Sequence, residues 1–164
     1  MENKYIYYKL SASEKNEVIP LSPDYKIITH QPQPGRLNIH THFKPIYLFW
    51  YLFTFGRYCI YYVYDDNKKI VHFSHVMPKI FKYSFMPQKN SIHIGPCWTH
   101  EKHRGKGIYP AVLSKICNDF SQKNTYIFTE KENLASQKGI EKVGFKQYAT
   151  GSKSKYLGIY KIII

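Results

Sequence analysis

Arg104-Gly105-Lys106-Gly107-Ile108-Tyr109 lies between an alternating apolar run and a helix-patterned one. Two glycines around a lysine at a strand-to-helix junction free several backbone N–H groups to point at one place. The helix that follows adds the positive end of its dipole. That arrangement is an anion cradle, better suited to a pyrophosphate than to a single carboxylate. Upstream, Ser91-Ile92-His93-Ile94-Gly95-Pro96-Cys97-Trp98-Thr99 reads as a strand. Downstream, Ile108, Val112, Leu113, Ile116, Cys117 and Phe120 fall on one helical face. Pro110 occupies the first turn, where its missing N–H costs nothing. A second strand, Tyr126-Ile127-Phe128-Thr129, leads to Glu132-Asn133 and a helix ending at Glu141-Lys142-Val143-Gly144-Phe145. Asn133 suits an N-cap, and Gly144 suits the left-handed position after a helix.

In this order and spacing, the two segments resemble the GNAT N-acetyltransferase superfamily. Its acyl-CoA loop has the pattern Arg/Gln-x-x-Gly-x-Gly/Ala, which Arg104 and Gly107 match and from which Tyr109 departs in the last place. Its next landmark, Asn-x-x-(Ser/Ala) followed by Glu-Lys-x-Gly-Phe, is matched by Asn133, Ser136, Glu141, Lys142, Gly144 and Phe145. The resemblance spans roughly residues 91–146. It implies a single α/β (α+β) domain over residues 1–164, with a mixed, mostly antiparallel sheet splayed at the acyl-CoA site and helices on both faces. It also implies acetyl-CoA, or another short acyl-CoA, as co-substrate.

The same resemblance assigns roles by position. The pyrophosphate sits on the backbone of Gly105, Lys106, Gly107, Ile108 and Tyr109, with Arg104 holding the loop. Cys97, seven positions before Arg104, supplies the backbone N–H that meets the developing oxyanion, and Thr99 follows it along the cofactor edge. Asn133 and Ser136 face the cofactor. The general base stands eleven positions before the arginine, which gives His93. On a regular strand His93, Gly95, Cys97 and Thr99 share one face, so His93 is expected to look toward the thioester. An unperturbed histidine pKa of about 6.5 suits a base for a weakly basic amine. The family's general-acid tyrosine has no counterpart, because Ile140 stands there. Another of the 16 tyrosines, or water, has to serve. A nucleophilic role for the Cys97 thiol lacks a His/Asn partner pattern.

Length and composition bound the remainder. At 164 residues, with 43% hydrophobic and 17% aromatic content, the chain is one domain with a real core and is not disordered. Three cysteines without metal-ligand spacing exclude a disulfide framework and give no metal site. The first residues lack the apolar core of a signal peptide, which gives a cytoplasmic expectation. The apolar run from Pro45 to Phe55 is shorter than the ~20 residues that span a bilayer. It reads as a buried helix, with residues 43–55 helical. A net charge of +13 suits a phosphate-rich co-substrate and an acidic acceptor. Nucleic acid is not expected, because no nucleic-acid-binding signature accompanies the charge. Peripheral membrane contact and a homodimer stay open.

Elsewhere, residues 2–10 read as an edge strand and residues 11–40 as loop, with a strand at Tyr25–Ile28. Tyr58–Tyr64 and Ile70–Val76 form a hairpin turned by Asp65-Asp66-Asn67, and Tyr156–Ile164 forms a final strand. The implied activity is acyl transfer to a primary amine of a small acidic acceptor such as a nucleotide-linked amino sugar. Transfer to a protein or an aminoacyl-tRNA, and a silent CoA- or nucleic-acid-binding module, are the alternatives.

Overall fold

The computed structural model describes residues 4–14, 18–32, 44–80, 83–153 and 160–163. Among them the elements run β1 (Tyr5–Leu10), β2 (Tyr25–His30), α1 (Pro45–Phe53), β3 (Cys59–Asp65), β4 (Ile70–Pro78) and β5 (Ser91–Thr99). A short 3-10 turn at Glu101–His103 follows, then α2 (Ile108–Asp119), β6 (Asn124–Glu130), α3 (Leu134–Lys142), β7 (Lys146–Lys153) and β8 (Tyr160–Ile163). The strands form one sheet in the order β2-β3-β4-β5-β6-β1-β7-β8. Neighbours pair antiparallel except β5 and β6, which are parallel. Those two pair only from Ser91↔Asn124 to His93↔Tyr126 and then part. The opening between them is the splay expected from the sequence.

Each face of the sheet carries its own core. On one face Val63, Val71, Val76, Ile92, Ile94 and Ile127 pack against Ile108, Val112, Leu113 and Ile116 of α2 and Ile140 of α3. The periodic positions read from the sequence form the inward side of α2. Asn133 caps α3 by accepting the Ser136 N–H at 3.0 Å, and Gly144 takes φ 96 beyond the helix end. On the other face Tyr7, Tyr58, Tyr62, Met77, Tyr83, Phe85, Met86 and Tyr126 form an aromatic layer, against which Tyr47, Trp50 and Tyr51 of α1 pack.

Two expectations are corrected, and one strand was not foreseen. The N-terminal strand is not an edge, because β1 lies between β6 and β7, with Tyr7 and Tyr8 both fully buried. Alternation reports which side of a strand is apolar, not which neighbours it pairs with. The aromatic helix is not buried: α1 has no buried residue. It turns its tyrosines inward and Ile46, Phe49, Leu52 and Phe53 outward. Strand β7, Lys-Gln-Tyr-Ala-Thr-Gly-Ser-Lys, has no apolar periodicity and is specified by pairing with β1 and β8. The final strand is seen at Tyr160–Ile163, and the rest of its expected span lies outside the described residues.

Candidate active site

Strand β5 carries the decisive local feature. Between Ser74↔Cys97 and Val76↔Ile94, β4 advances two residues while β5 advances three. The extra residue makes a bulge at Gly95-Pro96, and Gly95 adopts φ 138, a conformation open to glycine. A bulge reverses the side-chain alternation beyond it. Ile92 and Ile94 point into the aliphatic core, and so does Cys97 after the bulge. His93 points into the aromatic layer, and Trp98 stacks on Phe73 there at 5.6 Å. The expectation that His93, Gly95, Cys97 and Thr99 share one face is therefore wrong. The regular period of two breaks at the bulge, so His93 reaches the site from the face opposite Cys97.

The loop after β5 has the form of an anion seat. Gly105 and Gly107 take φ 75 and φ 76, and a Cβ added at either meets nothing within 4 Å, so the space above both is open. Gly107 is the N-cap of α2 and gives the helix no side-chain cap, leaving the first-turn N–H groups available to an anion. Arg104 lines the same space and braces the loop. Its Nε donates to the carbonyl of Thr99 at 3.1 Å and ties the loop to the end of β5.

Two cavities meet beside the bulge. The first, about 600 Å³, is lined by Cys97, Thr99, Arg104, Gly105, Gly107, Ile108, Tyr109, Asn133 and Ser136, with Trp98, His103, Lys138 and Lys142. It gathers the expected cofactor residues except Lys106. The second, about 770 Å³, lies on the aromatic face and includes His93, His75, Tyr58, Phe73, Tyr83, Phe128 and Thr129, with Lys44, Tyr47 and Trp50 from the α1 side. Cys97, Trp98, Tyr109, Asn133 and Ser136 line both cavities. Among the described residues, no Asp or Glu lines either one.

Tyr109 bridges the two spaces. Its ring lies over α3, where Gly139 leaves room for it: a Cβ at Gly139 would stand 2.8 Å from Tyr109 Cδ1. Its hydroxyl lies 3.3 Å from Ser136 Oγ in a hydrogen bond. Burial, with a smaller contribution from Cys97, raises its pKa well above that of an ordinary phenol, so it is protonated at neutral pH. Ile140 is fully buried in the aliphatic core and cannot contribute.

The Cys97 thiol accepts a hydrogen bond from Ser74 Oγ at 3.1 Å. Burial pushes its pKa up to about 12, so it remains a thiol at neutral pH. Ser74 in turn contacts His72 Nε2 at 2.8 Å, and His72 Nδ1 contacts Thr99 Oγ1 at 2.8 Å. Both nitrogens are thus engaged, and burial lowers the His72 pKa to about 3. On the other face His75 Nδ1 is hydrogen-bonded to the Tyr58 hydroxyl. Its pKa falls to about 4 through burial, with Lys44 adding to the shift. His93 is buried, with its ring stacked on Phe128 at 5.2 Å and its edge against Gly95.

The acetyltransferase (GNAT) family matches residues 25–145. The chain belongs to that family. No curated protein matches it. Among solved structures, a GNAT-family acetyltransferase of Colwellia psychrerythraea superposes with a TM-score of 0.59 at 17% identity, covering 91% of this chain and 54% of that one. An aminoglycoside 6'-N-acetyltransferase of Acinetobacter baumannii gives a TM-score of 0.54 at 10% identity, with 82% and 99% covered. A fungal glucosamine N-acetyltransferase region within a multi-domain β-N-acetylglucosaminidase gives 0.56 at 13% identity, with 90% and 20% covered. At such identities these likenesses show a shared GNAT fold. The chain spans about half the length of several matched structures, 48%, 54% and 60% in three of them.

Sequence reasoning missed Trp98, Lys138 and Lys142 in this GNAT site. The two lysines stand four residues apart on α3, so helical spacing was the signal that could have found them. Trp98 gave no signal, because a regular strand would have turned it differently from the bulged one.

Proposed function

We propose that this protein is an acyl-CoA-dependent N-acyltransferase, with acetyl as the acyl group, acting on a primary amine of a small acidic acceptor. The observation that carries this reading is the meeting of two cavities at Cys97, Trp98, Tyr109, Asn133 and Ser136, one with a phosphate seat and one without. Acyl-CoA supplies an activated thioester. The N–H groups of the Gly105–Tyr109 loop and the α2 N-terminus hold its pyrophosphate. Lys138 and Lys142 add positive charge along the same wall. The backbone N–H of Cys97 donates to the oxyanion that forms during transfer. His93 takes the proton from the attacking amine on the aromatic side. Tyr109, on α2, donates a proton to the departing thiolate, in place of the missing tyrosine on α3.

The acceptor cavity supports an anionic or neutral aromatic-stacking acceptor. Among the described residues its walls are aromatic, its one lysine is Lys44, and no carboxylate stands there to hold a polycation. A nucleotide-linked amino sugar combines a reactive amine, a ring for Trp98 or Phe73 to stack on, and a negative charge for Lys44.

Calorimetric titration of acetyl-CoA, followed by a turnover screen, tests the proposal. Saturable one-to-one binding, with turnover of amino-sugar nucleotides above that of aminoglycosides or polyamines, is the expected result. Absence of acetyl-CoA binding overturns the enzyme reading. Binding together with a preference for polycations overturns the acceptor class alone.

A further inference from the structure

Helix α1 has its polarity reversed. Pro45, Ile46, Phe49, Leu52 and Phe53 are all exposed. At 100° per residue they fall on a single arc of about 120°. Tyr47, Leu48, Trp50 and Tyr51 occupy the opposite, half-buried arc. Phe49 and Phe53 stack on each other at 5.8 Å, and Phe55, just past the helix, is 86% exposed at φ 53. A contiguous apolar stripe of this kind marks a contact surface rather than a solvated face.

The charge around the stripe selects its partner. Between Asp24 and Asp65 the sequence contains no Asp or Glu. Lys44 and Arg57 bracket the helix, Lys26 lies on β2, and the chain as a whole carries +13. Two copies of such a chain repel each other across this face. Nucleic acid would meet the charge but would bury neither Ile46 nor Leu52. An anionic bilayer meets both requirements, with acyl chains for the stripe and headgroup phosphates for its cationic rim. We propose that α1 and Phe55 seat the protein on the surface of an anionic phospholipid membrane, with the helix lying in the interface plane. Nine residues do not span a bilayer, and among the described residues no helix is long and apolar enough to do so. Lys44, Ile46, Tyr47 and Trp50 also line the larger cavity, so the seated protein opens that cavity beside the lipid headgroups.

Sedimentation of the full chain with vesicles tests the proposal without reference to catalysis. The probes are equal parts phosphatidylglycerol and phosphatidylcholine against phosphatidylcholine alone. Co-sedimentation is expected with the anionic vesicles, weaker by about tenfold with the neutral ones. Phe49→Ser combined with Leu52→Ser should lower affinity for anionic vesicles by about tenfold or more, while the circular dichroism spectrum and acetyl-CoA binding stay unchanged. No co-sedimentation overturns the proposal. So does binding that the double substitution leaves intact, which would place the contact on another, purely charged face. A wild-type dimer that becomes monomeric in the double variant overturns it too, because the stripe then belongs to a second copy.

Discussion

On one face of the sheet, α2 and α3 close a layer of Val, Ile and Leu. On the other, α1 leans on tyrosines, phenylalanines and methionines and leaves its own apolar side in water. Aliphatic side chains have no polar atom to satisfy and can be packed to high density. The tyrosines that enter that first layer carry their hydroxyls outward to carboxylates on the helices, Tyr8 to Glu141 at 3.2 Å and Tyr61 to Asp119 at 2.8 Å. In the second layer the hydroxyls are bonded to the sheet and loops, Tyr58 to His75, Tyr126 to Gln88 and Tyr148 to the carbonyl of Phe85. The first face therefore fixes the glycine loop and the uncapped N-terminus of α2. The second offers flat, polar-tipped walls. In the proposed reading, one sheet separates the co-substrate cavity from the acceptor cavity, and the two meet beside the β5 bulge.

Five substitutions probe that contrast. The largest effect is expected from Gly107→Val, on the aliphatic side. A β-branched residue resists φ 76, and its side chain fills the open anion seat, so acetyl-CoA affinity should fall at least about a hundredfold in calorimetry. Wild-type affinity would remove the loop from the binding site.

Next come the residues that approach the junction from opposite faces. His93→Ala and Tyr109→Phe should each lower kcat by about a hundredfold at neutral pH while acetyl-CoA affinity stays within about twofold. A Tyr109→Phe variant that loses cofactor affinity in step with turnover would make Tyr109 a wall residue rather than the acid.

The buried histidines of β4 compare the faces through stability. His72 lies on the helix side and His75 on the aromatic side, and both have pKa values lowered by burial, to about 3 and about 4. Unfolding restores each to about 6.5, so between pH 6.5 and 4 the unfolded chain binds more protons than the folded one. Stability then falls as the pH drops through that window, by about 1.4 kcal/mol per pH unit for each histidine. Urea unfolding from pH 7 to 4.5 should show the slope, and His72→Gln should remove about half of it. A flat profile would mean that these histidines are not held neutral in the folded state.

The smallest effect is expected from Gly139→Ala. Gaining a helix former offsets part of the overlap with the Tyr109 ring, leaving a net loss of about 1 kcal/mol in thermal unfolding. Turnover should drop severalfold more than that loss accounts for, because the hydroxyl is displaced. Unchanged turnover would uncouple the ring's seat from the chemistry.

The sequence by itself determined the aliphatic half of the protein. The 3.6-residue spacing of Ile108, Val112, Leu113 and Ile116, the capping asparagine at 133 and the glycines at 105, 107 and 144 are local signals, each tied to a backbone conformation that its own residue type favours. The aromatic half took its arrangement from long-range packing. Tyrosine is apolar enough for a core and polar enough for a surface, so a run such as Ile46–Phe53 does not say which arc turns inward. Likewise, the residues around Gly95 do not reveal that β5 takes one more step than β4. That extra residue exists only as a mismatch between two paired strands, and it turns His93 and Cys97 to opposite faces of the sheet.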